Sequence, residues 1–256
     1  MNSTVADTDF SLVIPAYNEA VLLPRLLDSI DIARQIFAES GGSVEVILAD
    51  NCSTDETAGL AAEHGCRVIS VETRCIAAVR NAGAGIAAGR FLAFVDADGT
   101  IHPQTFVRIS QILADNSIIG GSTGVTMERW SLGLALTYAL HYPFLVLTRM
   151  DTGLVFCRRA DFESVGGYDE GLRFAEDLAF LVSLRRLGKR RGQRLTRATT
   201  VRGTASTRKF DEQGDWHYFG HLWRVGSSMM LKRNDVDARS NANPLVRQTS
   251  ALRPFP

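Results

Sequence analysis

Two carboxylates one residue apart, Asp96 and Asp98 of Asp96-Ala97-Asp98-Gly99, follow directly on the apolar run 90–95. Acids held that close at the end of a buried strand repel each other. A hard divalent cation relieves this, because Mg²⁺ or Mn²⁺ takes carboxylate oxygens and shares the rest of its sphere with phosphates and water. In a random loop the same triplet would be turn and helix-capping chemistry. Its place after a strand shifts the reading toward a cation on a phosphorylated ligand.

Three further groups could act with it. Asp50 ends the run 44–49 and precedes Asn51-Cys52-Ser53-Thr54-Asp55, so its carboxylate can accept from a base N–H or a ribose hydroxyl. Arg80, in Arg80-Asn81-Ala82-Gly83, could aim a planar fork at a diphosphate. Glu176 and Asp177 follow the turn Gly166-Gly167-Tyr168-Asp169-Glu170 and open a helix, where the dipole favours negative charge. A carboxylate there can also serve as general base for an incoming hydroxyl.

The elements that must position these groups alternate. Apolar runs predict strands at 10–14, 44–49, 67–71 and 90–95. Helical spacing predicts helices at 20–39, stopped by Gly41 and Gly42, from a Ser53 or Thr54 cap to about His64, at 76–88 and at 103–115. That order implies an α/β fold, a mostly parallel central sheet with helices on both faces. Ligands in such sheets bind outside the carboxyl ends of the strands, where these acids fall. Beyond 115 the expectation is a strand at 118–128, a helix at 130–148, a strand at 153–158 and a helix at 175–187 closed by Gly188.

Composition sets the outer limits. The chain has 256 residues, 45% hydrophobic and 22% charged, which excludes wholesale disorder. Lys plus Arg and Asp plus Glu are each 28, so bulk charge does not mark a nucleic-acid coat. Cys52, Cys66, Cys75 and Cys157 form no CxxC pair, which argues for reduced thiols rather than a zinc or disulfide framework. The N-terminus lacks a signal-peptide pattern, and the apolar stretch 132–147 is too short to span a bilayer. The expected location is cytoplasmic, with peripheral contact at the inner face of the membrane left open. Ten basic residues and no acid lie between Arg185 and Lys209, a stretch suited to a phosphorylated acceptor, an anionic membrane or plain solvation.

Taken together and in order, IPAYNE at 14–19, ADNCSTDET at 49–57, RNAG at 80–83, DAD at 96–98, GGYDE at 166–170 and EDLAF at 176–180 resemble a family 2 glycosyltransferase of the GT-A fold. The resemblance covers about residues 10–210. It implies one domain over 1–232, with a nucleotide-binding part at about 10–115, an acceptor part at about 116–232, and a polar tail at 233–256. It implies a UDP- or GDP-sugar donor, Mn²⁺ or Mg²⁺ as cofactor, and single displacement with inversion. By position, Pro15, Tyr17 and Glu19 would line the nucleoside pocket and Asp50 would meet the base. Arg80 would lie near the base or diphosphate, and Asp96 and Ala97 on the donor. Asp98 would hold the metal, joined by a late histidine, His217 or His221. Asp177 would be the base, with Glu176 and Arg208 on the acceptor or diphosphate side. The membrane-embedded members' QxxRW motif is missing. The acceptor hydroxyl, whether phosphorylated or lipid-linked, and homo-oligomer formation stay open. The competing readings are a sugar nucleotidyltransferase and a non-catalytic relative that binds a nucleotide sugar. PAYNE, without glycine or a basic residue, argues against the first, and the intact acid pairs argue against the second.

Overall fold

The computed structural model describes residues 8–136, 138, 139, 142, 151, 153–172 and 175–208. The chain divides into two compact units. The first holds Met1–Arg129 with His141–Thr207, and the second Trp130–Leu140 with Arg208–Pro256. The sequence boundary at 232 and the tail after it lie outside the described residues.

In the first unit the elements run β1 (Phe10–Ala16), α1 (Leu23–Glu39), β2 (Val44–Asp50), α2 (Thr57–Glu63), β3 (Arg67–Ser70), α3 (Ile76–Gly85), β4 (Phe91–Phe94), α4 (Thr105–Ala114), β5 (Ile118–Met127), β6 (Val155–Arg158), α5 (Arg159–Val165), α6 (Glu176–Arg190) and β7 (Arg194–Ala205). The strands form one sheet in the order β3-β2-β1-β4-β6-β5-β7. β1 pairs parallel with β2 and β4, β2 with β3, and β5 with β7. β6 is antiparallel to both its neighbours. Among the described residues no helix is long and apolar enough to cross a membrane.

Strand alternation sends side chains to two cores. Phe10, Leu12 and Ile14 of β1 pack with α1 and α4, around Leu26, Ile30 and Phe106. Val13 points to the other face, with Ala77 of α3, Phe162 of α5 and Phe180 of α6. α3 comes very close to the sheet because its residues are small. A Cβ on Gly83 would sit 2.5 Å from Val13 Cγ1. Pro15 is tolerated inside β1 because the β1–β4 ladder has already ended at Val13 and Phe94, so its missing N–H breaks no pairing there.

Several boundaries differ from the sequence expectation. The last helix does not close at Gly188. It continues to Arg190, and Gly192 at φ +70° follows. Gly188 instead lets the helix approach β5, since a Cβ there would meet Ile119 Cγ2 and the Gln193 carbonyl at 3.1 Å. α2 begins at Thr57, where Asp55 accepts the backbone N–H at 3.1 Å, so neither Ser53 nor Thr54 caps it. α5 and β7 were not foreseen. β7 buries Leu195, Ala198 and Val201, a spacing of three, and its pairing with β5 shifts register between Thr123 and Val125. This hides the period of two. Two members of the basic stretch are already paired within the protein. Arg197 pairs with buried Asp151 at 2.5 Å, and Arg191 with buried Asp161 at 2.6 Å.

The β5–β6 connection is pinned at its base. The Thr123 N–H donates to the Leu154 carbonyl at 2.8 Å, the Leu154 N–H to Thr123 Oγ1 at 3.0 Å, and the Asp151 N–H to Ser122 Oγ at 2.8 Å.

Candidate active site

The carboxyl ends of β1 and β2 are laced together. The Asn18 N–H donates to Ser53 Oγ at 3.0 Å, and the Thr54 N–H to Asn18 Oδ1 at 2.8 Å. The Glu19 N–H donates to Thr57 Oγ1 at 2.8 Å. Asn18 and Cys52 take left-handed backbone at φ 53° and 58°, which turns each loop back over the sheet edge. Asp50 ends β2, buried, and accepts the Ser53 N–H at 3.2 Å. Tyr17 follows Ala16, the β1 residue in register with Asp50, and is 48% exposed, while Pro15 is buried within the strand.

Arg80 is the hub of the site. It leaves α3 with only 3% of its side chain exposed. Nη1 donates to Glu176 Oε1 at 2.6 Å and lies 3.0 Å from Asp177 Oδ1. Nη2 donates to Asp96 Oδ1 at 2.7 Å. The guanidinium carbon sits 5.2 Å from the Tyr168 ring centre. The sequence had set this fork toward a base or diphosphate. The structure occupies it instead with the protein's own carboxylates, one from the DAD triplet and two from the Glu-Asp pair. Burial works against the Arg80 charge, but Asp177, Asp96 and Glu176 outweigh it and hold the group protonated.

Asp177 feels the reverse balance. Burial pushes its carboxyl up to about 6, Arg80 pulls it back, and Asp96 and Glu176 push it up again. Its proton affinity thus falls close to neutral pH, while 37% of the side chain stays exposed. Tyr168 closes the floor beneath, and burial raises its hydroxyl well above the ordinary tyrosine value.

The turn that carries Tyr168 is held by Asn81. Asn81 Nδ2 donates to the Tyr168 carbonyl at 2.9 Å and to Glu170 Oε1 at 2.8 Å, and its Oδ1 accepts the Tyr168 N–H at 2.9 Å. Neither Asn81 nor Tyr168 was assigned a role from sequence, although both lie inside the RNAG and GGYDE motifs. A polar residue directly after the arginine, and an aromatic directly after paired glycines, were the available signals.

Asp98 is half buried, and its carbonyl accepts from Arg25 Nη2 at 3.2 Å. Arg25 also pairs with Glu128. Past Asp98 the chain is tied to β7. Thr100 and Thr204 exchange backbone bonds of 2.9 and 3.2 Å, and Gly99 and Gly203 permit this because a Cβ on either would strike a carbonyl. A cavity of about 70 Å³ results, lined among others by Arg80, Asp96, Asp98, Asp177, Gly153 and Thr204. Asp96 is 59% exposed at its rim. Ala97 is buried in the core, so only its backbone can serve a ligand. Glu176 is nearly buried against Arg80. Arg208 belongs to the second unit. His217 and His221 lie outside the described residues.

The donor set fits a hard cation. Among the described residues no group of three or more His, Cys, Asp or Glu could hold an ion unaided. The Asp98 carboxylate is an oxygen group of the kind that could join a Mg²⁺ or Mn²⁺ sphere completed by phosphates and water.

Residues 11–165 match the family model described as glycosyl transferase family 2. The chain belongs to that family. The succinoglycan biosynthesis protein ExoO of Rhizobium meliloti (strain 1021) is 31% identical over 204 residues, covering 71% of this chain and 57% of ExoO. A PGL/p-HBAD biosynthesis glycosyltransferase of Mycobacterium tuberculosis (strain ATCC 25177 / H37Ra) is 30% identical over 183 residues, 67% of each protein. Among solved structures, Staphylococcus aureus TarS 1-349 in complex with UDP-GlcNAc superposes with a TM-score of 0.60 at 21% identity, over 78% of this chain and 58% of that one. The mannosyltransferase PcManGT from Pyrobaculum calidifontis, in complex with GDP-Man and Mn²⁺, gives 0.60 at 20% identity over 78% and 57%. These likenesses establish the GT-A fold for this family 2 chain, which spans less than two thirds of ExoO and of both solved chains.

Proposed function

We propose that this family 2 protein is an inverting, metal-dependent glycosyltransferase that moves a sugar from a nucleoside-diphosphate sugar to an acceptor hydroxyl. The observation that carries the proposal is the shared cavity. Asp98, from the end of β4, and Asp177, from the start of α6, line the same cavity, and Arg80 bridges the two motifs behind it. The donors named for the TarS and PcManGT complexes, UDP-GlcNAc and GDP-Man, support the choice of substrate class.

In this reading the β1 and β2 loops, with Tyr17, Glu19 and Asp50, receive the nucleoside. Asp98, with Asp96 beside it, would hold Mn²⁺ or Mg²⁺, which when bound would supply positive charge where the departing diphosphate becomes anionic. Asp177 takes the proton of the acceptor hydroxyl as that oxygen attacks the anomeric carbon from the face opposite the leaving group. A base near pKa 6 is mostly ionised at neutral pH yet still basic enough to accept that proton. Arg80, itself anchored by Glu176 and Asp96, holds the Asp177 carboxylate in place, and Tyr168 packs against the Arg80 guanidinium.

A panel of nucleotide sugars, tested for thermal stabilisation and turnover with and without Mn²⁺, checks this. A metal-dependent shift with UDP- or GDP-sugars is expected, lost in Asp98→Ala. Asp177→Asn should still bind donor while losing turnover. Near-normal turnover by Asp177→Asn would remove Asp177 from the base role, and pyrophosphate release from a nucleoside triphosphate and a sugar phosphate would replace the transferase reading.

A further inference from the structure

α6 carries Asp177 at its first turn and a different chemistry at its last. Arg185, Arg186, Lys189 and Arg190 are all exposed there, at spacings that place them on adjoining helical rows. Among the described residues none of the four has an ion-pair partner. The acids of the adjacent α5 are already engaged, Asp161 by Arg191 at 2.6 Å and Glu163 by Arg159 at 3.1 Å. A chain of zero net charge therefore concentrates four uncompensated cations on one helix end. Complementing the helix dipole accounts for one or two of them, not for a set this dense.

We propose that this helix end docks the protein on the anionic headgroups of a lipid bilayer. The cations are long, flexible and exposed at the end of the helix. The cavity that Arg186 lines also carries Asp169 and Glu170, whose charge disfavours a discrete phosphate there, and a planar, diffuse layer of negative charge suits the exposed set better. A separate observation in the second unit points to the same partner. Leu132, Ala135, Leu136 and Ala139 are exposed at helical spacing, with Trp130 exposed just before them. An uncovered apolar stripe headed by tryptophan is the surface an interfacial helix lays into the headgroup region. The docking surface deepens the transferase reading, placing the base-bearing helix at a surface where a membrane-anchored acceptor would be met. It is tested without donor, metal or turnover, so the two readings fail separately.

Each cation near an anionic surface contributes about fivefold to partitioning, so the four together contribute about 10³-fold. The full chain is mixed with vesicles of phosphatidylcholine alone, or of phosphatidylcholine with phosphatidylglycerol, and sedimented. Binding is expected only to the anionic vesicles, and to fall steeply between about 0.15 M and about 1 M salt. The variant R185Q/R186Q/K189Q/R190Q should lose at least about 100-fold of it, and thermal unfolding should show the variant folded, since all four side chains are exposed. The arrangement is overturned if wild type ignores anionic vesicles, or if the quadruple variant binds them as well as wild type does. Tighter binding per phosphate to soluble inorganic polyphosphate than to the vesicles also overturns it, in favour of a phosphorylated polymer.

Discussion

Replacing Arg80 by glutamine tests how the site sets the proton affinity of Asp177, the proposed base. The guanidinium lies 3.0 Å from Asp177 Oδ1, 2.6 Å from Glu176 Oε1 and 2.7 Å from Asp96 Oδ1. Glutamine keeps a hydrogen-bond donor of similar reach and removes the charge. An opposite charge this close lowers a carboxyl pKa by about 1–3 units, so its loss raises Asp177 by that much. In the intact site Asp177 stands at about 6. The acidic limb of the kcat–pH profile should then move from about 6 to about 8 in Arg80→Gln. At about pH 7 the ionised fraction falls from about nine tenths to about one tenth, a roughly tenfold loss of kcat that returns toward about pH 9. Three facing carboxylates without their cation also weaken the fold, by about 3–5 kcal/mol when ionised. Thermal unfolding at each pH therefore separates loss of fold from loss of base. Arg80→Lys, which keeps the charge but cannot reach three acceptors in one plane, should keep the limb near its original place and lower kcat throughout. An Arg80→Gln protein that is folded and whose limb stays where it was would refute the argument.

Other expectations concern stability. The Asp177 pKa is raised above its unfolded value of 3.8, so wild-type stability is greatest below that pH and declines as pH rises through about 6. Asp177→Asn should therefore melt higher than wild type above about pH 6, by about 1 kcal/mol once solvent screening of this partly exposed group is allowed for, and equal to it near about pH 4. A wild-type-like slope in the variant would contradict this. Breaking the buried Asp151–Arg197 pair with Asp151→Asn should cost about 3–5 kcal/mol by chemical denaturation, whereas Asp151→Leu with Arg197→Met should recover most of that loss. Gly83→Ala forces a methyl to 2.5 Å from Val13 Cγ1, and a loss of about 1–3 kcal/mol with displaced Arg80 chemistry is expected.

Much of the first half was readable because local pattern and tertiary role coincide there. The strand stretches Phe10–Ala16, 46–49 and Phe91–Phe94 are buried on both faces and read as nearly continuous apolar runs. The acids that follow them had to gather at one edge once the sheet was parallel. What escaped was set by packing. β7 carries arginines on exposed positions and a register shift within its pairing, so its strand period is obscured. Gly188 looked like a terminator because nothing local reveals that β5 lies against it. Arg80 was readable as a site residue but not as the link between two acid motifs. Its partners are 16 and 96 positions away, and only the packing of α3 and α6 on one face of the sheet brings them together.

The closed base of the β5–β6 connection has a consequence for how such a catalyst diversifies. The connection leaves and rejoins the sheet at the bonds joining Thr123 with Leu154 and Ser122 with Asp151, and just past β5 Glu128 is held by Arg25 and by the Thr207 N–H. Doubling the length of such an insert costs only about 0.6 kcal/mol in chain entropy. A stretch of another length grafted between the same anchors should leave the β5–β6 pairing, and with it the melting of the sheet, nearly unchanged.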